Sequence, residues 1–324
     1  VNAQGLRNGP LAPEPPPGVE RVTVLGDSFI FGAPLQQEHT IPARLQALAG
    51  SNVEVVNVAA PGYGTGQQYL LMKELQTNGF DMGSKVVLAF FSNDLQDNLG
   101  LHYATLTRNS VQPAFHVDTA GRLQQTPIDA PRALVHTSAN GWLARSLFAH
   151  YLRYQIEVLA VSYPGLWRAS DALGIAPELP RTPGIVAGWY GPQWEARWGV
   201  TEEVLEHVIR ALRAMPAAPE LSIVFVPSPF QVHEAYISML AANVQNDARY
   251  ARFLSDPDRP QRLVQSVAQR LDVRFVDLTP ALRQAAPGSV LYFPREGHFN
   301  EAGSALAAEV IYEQVFRKGG NHEL

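Results

Sequence analysis

The first residue that could do chemistry is Ser28, in the segment Gly26-Asp-Ser-Phe-Ile-Phe-Gly32 directly after the apolar run 21–25. A serine at a strand-to-helix turn exposes its hydroxyl beside the backbone N–H groups of the helix N-terminus. This placement suits a nucleophile whose product oxyanion needs hydrogen-bond donors. The alternative is that Asp27 or Ser28 only caps the helix. The Gly-x-Ser-x-Gly motif of a nucleophile elbow is absent.

Two further loops contain residues that could donate hydrogen bonds to a reacting oxygen. The glycine-rich stretch 57–66 contains Gly62, and a glycine lets a backbone N–H approach such an oxygen closely. Its glycine spacing fits neither Gly-x-Gly-x-x-Gly nor a P-loop, and a plain loop leading into the next helix is the alternative. Asn93 follows the apolar run 85–91, where its side-chain amide could serve as a donor or simply form a turn.

His298 is the candidate general base, because it follows the acid Glu296 by two residues in the loop before the last predicted helix. An isolated loop histidine is usually structural or solvated, whereas one with a neighbouring carboxylate has a partner that can orient its ring. Asn300 is predicted to cap the helix that begins at Glu301.

Apolar runs and amphipathic segments alternate along the chain and predict the elements that position these residues. Strands are predicted at 21–25, 53–58, 85–91, 221–226 and 273–277. Helical spacing recurs at 41–48, 67–77, 204–212, 259–271 and 303–315. This alternation predicts a parallel sheet covered by helices on both faces, with chemistry just after the strands.

Two regions depart from this alternation. Residues 1–20 are rich in proline and predict an arm that either lies over the surface or is loose, so that one domain spans 21–324. Residues 99–200 predict an insertion between the third and fourth strands, with a patchy helical pattern at 144–159. This insertion contains all five tryptophans, which could form an aromatic wall of the cleft or a buried core: Trp142, Trp167, Trp189, Trp194 and Trp198.

The composition excludes several classes of function. Of the 324 residues, 46% are hydrophobic and 17% are charged, a balance typical of a globular chain rather than a disordered one. The absence of cysteine excludes disulfides, thiolate metal sites and a cysteine nucleophile. The formal charge of −5 gives no reason to expect a nucleic-acid partner, and no apolar run is long enough for a transmembrane segment.

Taken in chain order, the four segments resemble the conserved blocks of the SGNH (GDSL) hydrolase family. The first block resembles Gly26-Asp27-Ser28 after a strand, and the second-block glycine and third-block asparagine match Gly62 and Asn93. The last block, an acid closely followed by His, Asn and Gly, matches Glu296, His298, Asn300 and Gly303. The middle of the chain matches no block.

The resemblance implies a three-layer α/β/α sandwich with a flavodoxin-like parallel sheet, no cofactor and no metal. It implies that Ser28 attacks an acyl carbonyl and that His298 takes the serine proton and delivers it to the leaving group. The oxyanion would be held by the backbone N–H groups of Ser28 and Gly62 and by the side-chain amide of Asn93.

The sequence departs from the family at the acid, which is usually an aspartate two or three residues before the histidine. Here Arg295 stands at the third position, so Glu296, another carboxylate or a backbone carbonyl must orient His298. Asp277, at the end of the fifth predicted strand, is the nearest alternative, although capping the next helix is its favoured role. His233 follows the fourth strand and could line the cleft.

Three functions remain open at this point. The leading hypothesis is hydrolysis of acyl esters, including acetyl esters borne on a carbohydrate. O-acetyl transfer to a polysaccharide would share the acyl-enzyme and differ in whether water or a sugar hydroxyl reaches it. An inactive binding module is the third, although such a module would not need all of the matched residues. The proline-rich start resembles exported or membrane-tethered bacterial relatives with the leader removed, which predicts an exported location.

Overall fold

The computed structural model describes residues 1–99, 113–127, 190, 195–242, 248–294 and 297–317. Five parallel strands form the central sheet: β1 (Glu20–Gly26), β2 (Val53–Ala59), β3 (Lys85–Phe91), β6 (Glu220–Val226) and β7 (Arg274–Asp277). Their order across the sheet is β2-β1-β3-β6-β7. The five predicted runs end within one residue of these strands, and the predicted α/β/α sandwich is confirmed.

Helices cover both faces of this sheet. One face carries α3 (Thr65–Thr77), α5 (Glu195–Arg213) and α9 (Arg259–Arg270). The other carries α1 (Ser28–Phe31), α2 (Ile41–Ala49), α10 (Thr279–Ala285) and α11 (Glu301–Ile311), and α11 continues as a π-helical turn over Tyr312–Arg317. Four shorter helices lie beyond strand ends: α4 (Asp94–Asp97), α6 (Pro229–Val232), α7 (Glu234–Ala242) and α8 (Ala248–Ser255).

Buried side chains of each strand alternate between two apolar layers. Along β1, Leu25 joins the layer under α3, α5 and α9, whereas Val24 joins the layer under α2 and α11. Both side chains are completely buried. A sheet buried on both faces requires near-continuous apolar strands, which is why these runs are readable in the sequence.

The register of the strands brings the loops of interest to one edge of the sheet. Gly26 at the end of β1 pairs with Ala59 of β2, and Phe91 at the end of β3 pairs with Val226 of β6. The chain order reverses at β1, which lies between β2 and β3. Ligands of open parallel sheets bind outside the carboxyl ends of the strands at such a reversal.

The N-terminal arm lies against the outer edge of β2. The side-chain amide of Asn8 donates to the Asn57 carbonyl and accepts from the Asn57 N–H, both at 3.0 Å. The guanidinium of Arg7 donates to the carbonyls of Phe31, Gly32 and Leu35, at the end of α1 and just beyond it. These side chains satisfy backbone groups that an edge strand and a helix C-terminus otherwise leave unpaired.

The region predicted as an insertion contains a two-stranded antiparallel hairpin, β4 (Pro113–Val117) and β5 (Leu123–Pro127). Helix α5 begins at Glu195, so its first turns fall inside the predicted span 99–200. Trp198 on α5 is buried and its ring lies 4.6 Å from the Arg259 guanidinium carbon. The predicted helical stretch 144–159 lies outside the described residues, as do Trp142, Trp167, Trp189 and Trp194.

Candidate active site

Ser28 is the first residue of α1, directly after β1 and its N-cap residue Asp27. The Asp27 carboxylate accepts the Phe29 N–H at 2.9 Å, so Asp27 is the residue that caps this helix. Gly26 permits the tight strand-to-helix turn, because a Cβ there would lie 2.3 Å from the Ile30 side chain. The turn leaves Ser28 partly exposed at the carboxyl edge of the sheet.

His298 contacts Ser28 directly. Its Nε2 atom lies 2.7 Å from Ser28 Oγ, although the two residues are 270 positions apart in the sequence. The imidazole packs on the ring of Phe29, with the two ring centroids 4.9 Å apart. Burial lowers the pKa of His298 to about 4, so the imidazole is neutral at neutral pH and can accept the serine proton.

The loop that carries His298 is held by its own backbone and by the start of α11. The Phe293 N–H donates to the His298 carbonyl at 2.8 Å, and Tyr292 and Phe299 form a β-bridge. The Asn300 side chain accepts the N–H groups of Ala302 and Gly303, both at 3.0 Å, and is the N-cap that the sequence predicts.

His233 packs beside this loop rather than against Ser28. Its Nε2 atom accepts the Leu291 N–H at 3.4 Å, and its ring lies 5.7 Å from that of Tyr292, centroid to centroid. Burial lowers the pKa of His233, which favours the neutral ring that this contact requires. The hydroxyl of Tyr236 donates to the Pro294 carbonyl at 2.9 Å.

Of the carboxylates considered as partners of His298, Glu296 lies outside the described residues. Asp277 accepts the Thr279 N–H at 2.8 Å, which is the contact of a residue that caps α10. Burial raises the pKa of the Asp277 carboxyl, and its hydrogen bonds with Thr279 oppose that shift. The capping role that the sequence favoured for Asp277 is therefore the one that its contacts describe.

The two other predicted oxyanion donors follow the strands on either side of β1. Gly62 is buried in the loop after β2, with a φ of 78° that favours glycine. This loop leaves the sheet beside the nucleophile turn, because the Ala60 N–H donates to the Gly26 carbonyl at 3.3 Å. Asn93 follows β3, and its side chain hydrogen-bonds the Asp27 carboxylate next to Ser28.

Three buried carboxyl groups, those of Asp27, Asp94 and Asp97, lie near Ser28 and Asn93. No function is predicted for Asp94 or Asp97 from the sequence. Burial raises the pKa of Asp27 to about 6, against hydrogen bonds from Phe29, Asn93 and Ser28 that lower it. Burial and the neighbouring carboxylates raise the pKa values of Asp94 and Asp97 well above the usual range. Asp94 directly follows Asn93, and Asp97 lies three residues further along, so both side chains fall on one face of α4. This spacing is the sequence pattern that could have indicated the two carboxyl groups.

Within the described ranges, no group of three or more histidine and carboxylate side chains could hold a metal ion. None of the helices in the same ranges is both long and apolar enough to cross a membrane.

No family model and no curated protein sequence matches the chain. Among solved structures, it is similar to a carbohydrate acetylesterase family member from Sinorhizobium meliloti, with 14% identity and a TM-score of 0.46 over 93% of this chain and 98% of that one. It is also similar to a catalytic mutant of an acetylxylan esterase from Geobacillus stearothermophilus, with 13% identity and a TM-score of 0.45 over 92% and 94% of the two chains. A third similar structure is that of a psychrotrophic esterase from Pseudoalteromonas sp., with 11% identity and a TM-score of 0.42 over 93% and 100%.

Proposed function

We propose that this protein hydrolyses carboxylic esters through an acyl-enzyme intermediate on Ser28. Ser28 Oγ attacks the acyl carbonyl while His298 Nε2 takes the hydroxyl proton, and the tetrahedral intermediate then expels the alkoxide, which receives that proton. In the second half, His298 takes a proton from water, the hydroxide attacks the acyl-enzyme, and the carboxylic acid leaves as Ser28 recovers its proton.

The observation that carries this proposal is the 2.7 Å contact between Ser28 Oγ and His298 Nε2. A serine hydroxyl is a weak nucleophile until a neighbouring base can remove its proton. The lowered pKa of His298 supplies that base in its neutral form. The placement of Ser28 at the start of a helix adds N–H groups that have no partner within the helix.

The proposed oxyanion donors are the backbone N–H groups of Ser28 and Gly62 and the side-chain amide of Asn93. Support comes from the topology, because the loops that carry these donors leave β1, β2 and β3, which are neighbours in the sheet. Donors held in place before the reaction stabilise the developing charge without reorganising. For the orientation of the His298 ring we propose Glu296, the acid of the segment that resembles the last family block; the contacts of Asp277 are those of a helix cap.

The test is hydrolysis of p-nitrophenyl acetate and of longer acyl esters by the wild type, by Ser28→Ala and by a matched Ser84→Ala control. Ser84 lies just before β3, at the amino ends of the strands and away from Ser28, and its hydroxyl donates to the Glu20 carboxylate at 2.8 Å. We expect Ser28→Ala to lose at least about 10⁴-fold in kcat, as when a nucleophile is removed from a triad, and Ser84→Ala to keep the wild-type rate.

Labelling by a fluorophosphonate separates this proposal from non-enzymatic roles. The wild type and Ser84→Ala should each take up one label per chain, and Ser28→Ala should take up none. Equal turnover in the wild type and Ser28→Ala, or no turnover and no labelling in the wild type, would overturn the proposal. Adding a sugar acceptor then shows whether the acyl group goes to water, as proposed, or to a sugar hydroxyl.

A further inference from the structure

The two loops that carry Gly62 and Asn93 are joined by a buried hydrogen-bonded contact. The hydroxyl of Thr65, the first residue of α3, donates to Asp94 Oδ2 at 2.7 Å. The side-chain amide of Gln68 donates to the same oxygen at 3.5 Å. Thr65, Gln68 and Asp94 are all completely buried, so water does not compete for these bonds.

Close backbone approach reinforces the contact. The Asn98 side chain accepts the Gly66 N–H at 3.0 Å. A Cβ at Gly64 would lie 2.8 Å from the Asn98 backbone nitrogen and 3.0 Å from Asp97 Cβ, so only glycine fits there. The first turn of α3 therefore lies directly against Asp94, Asp97 and Asn98.

The position of the Asp94 contact in the chain connects it to the proposed donors. Thr65 follows Gly62 by three residues, and Asp94 follows Asn93 directly. A bond between Thr65 and Asp94 therefore constrains the distance between the Gly62 N–H and the Asn93 amide. Oxyanion donors must be held to within about 0.5 Å of the productive geometry by surrounding hydrogen bonds and packing.

We propose that Asp94 is a positioning residue, which holds the loops of Gly62 and Asn93 in register so that both donors reach one oxygen. This inference rests on the proposed ester hydrolysis. Asp94 acts through the two loops and does not itself touch the substrate. Its carboxyl is fully buried, and burial together with the neighbouring Asp27 carboxyl raises its pKa well above the usual range.

Thr65→Val tests the proposal because it removes one hydroxyl at constant shape. Thr23→Val is its matched control, since Thr23 is also completely buried and donates one hydrogen bond, to the Met82 carbonyl at 2.6 Å. Active-site titration with a fluorophosphonate corrects each kcat for the fraction of folded enzyme. We expect kcat to fall about 10- to 100-fold in Thr65→Val, as for a misplaced catalytic group, with KM nearly unchanged, and to stay at the wild-type value in Thr23→Val.

Replacements of Asp94 itself give the second measurement. Asp94→Ala removes the acceptor and should lower kcat at least as far as Thr65→Val does. Asp94→Asn keeps an oxygen acceptor without charge and should recover most of that loss. If Asp94→Ala does not fold, Thr65→Val and Asp94→Asn still decide the question.

The outcomes distinguish this inference from the proposed function. If the wild type shows no Ser28-dependent turnover, the proposed function fails and the positioning role fails with it. If the wild type turns over with Ser28 but Thr65→Val and Thr23→Val have equal kcat values, the positioning role alone is overturned. A fall in melting temperature with an unchanged corrected kcat would assign the contact to stability only.

Discussion

Replacing Asp27 with asparagine should stabilise the protein at alkaline pH, although Asp27 lies next to the proposed nucleophile. Asp27 is 2% exposed, and burial raises its pKa from 3.8 to about 6. A carboxyl whose pKa is raised in the folded state costs stability as pH rises, because the unfolded chain ionises first. The cost therefore develops between about pH 3.8 and pH 6 and stays constant above that range.

The size of this change in stability follows from the rise in the pKa of Asp27. A tenfold change in proton affinity is worth about 1.4 kcal/mol, so the shift corresponds to about 3 kcal/mol at pH 8. Asparagine keeps the acceptor for the Phe29 N–H but loses the second oxygen, which accepts from Ser28 Oγ at 3.4 Å, and this loss offsets about 1 kcal/mol. We expect Asp27→Asn to gain about 2 kcal/mol at pH 8 and to show no gain near pH 4.

Urea unfolding of the wild type and the variant at both pH values measures this difference. Asp118→Asn is the control of opposite sign, because hydrogen bonds from Arg122 and Gln124 lower the pKa of Asp118 to about 2. That variant should lose stability at pH 8. An Asp27→Asn variant that is less stable than the wild type at pH 8, or that has the same effect at both pH values, would contradict the raised pKa of Asp27.

Three further predictions concern the site and the arm. The value of kcat/KM should fall about tenfold per pH unit below about pH 4, because only neutral His298 accepts the serine proton. A pH profile of kcat/KM whose acid limb is centred at 6.5 or above would contradict the lowered pKa of His298. Asn93→Ala should lower kcat about 10²- to 10³-fold in the same ester assay, and an unchanged kcat would remove Asn93 from the oxyanion donors. Asn8→Ala should lower the free energy of unfolding by about 1–3 kcal/mol without changing kcat, because it leaves the backbone N–H and carbonyl of Asn57 unpaired at the edge of β2. Equal urea midpoints for the variant and the wild type would show that water replaces these hydrogen bonds.

The strands were the most predictable part of the fold. A parallel strand buried on both faces must be apolar along its whole length, so each of the five strands is visible as a local run. The Asn300 cap was predictable for a similar reason, because a cap depends on residues only a few positions apart. The hairpin β4–β5 was not predicted, since its pairing lies within a proline- and glycine-rich stretch with no clear alternation.

The polar contacts of the site were less predictable. The sequence left open whether Asp27 or Ser28 caps α1, and the observed bond from the Phe29 N–H assigns the cap to Asp27. The bond between Thr65 and Asp94 joins residues 29 positions apart, and no local pattern indicates it. Burial of a carboxyl likewise depends on the elements packed around it, so its pKa cannot be read from neighbours in the chain.

The sequence by itself determined the five strands of the central sheet, the main helices that cover it and the residue types at the ends of the strands, because apolar periodicity and turn chemistry are local properties. Only the tertiary structure decided which of those residues meet. Ser28 and His298 lie at opposite ends of the chain and come within 2.7 Å because the sheet order and the packing of α11 bring their loops to one edge. Such a contact depends on the whole arrangement of strands and helices, which no segment of the chain specifies alone.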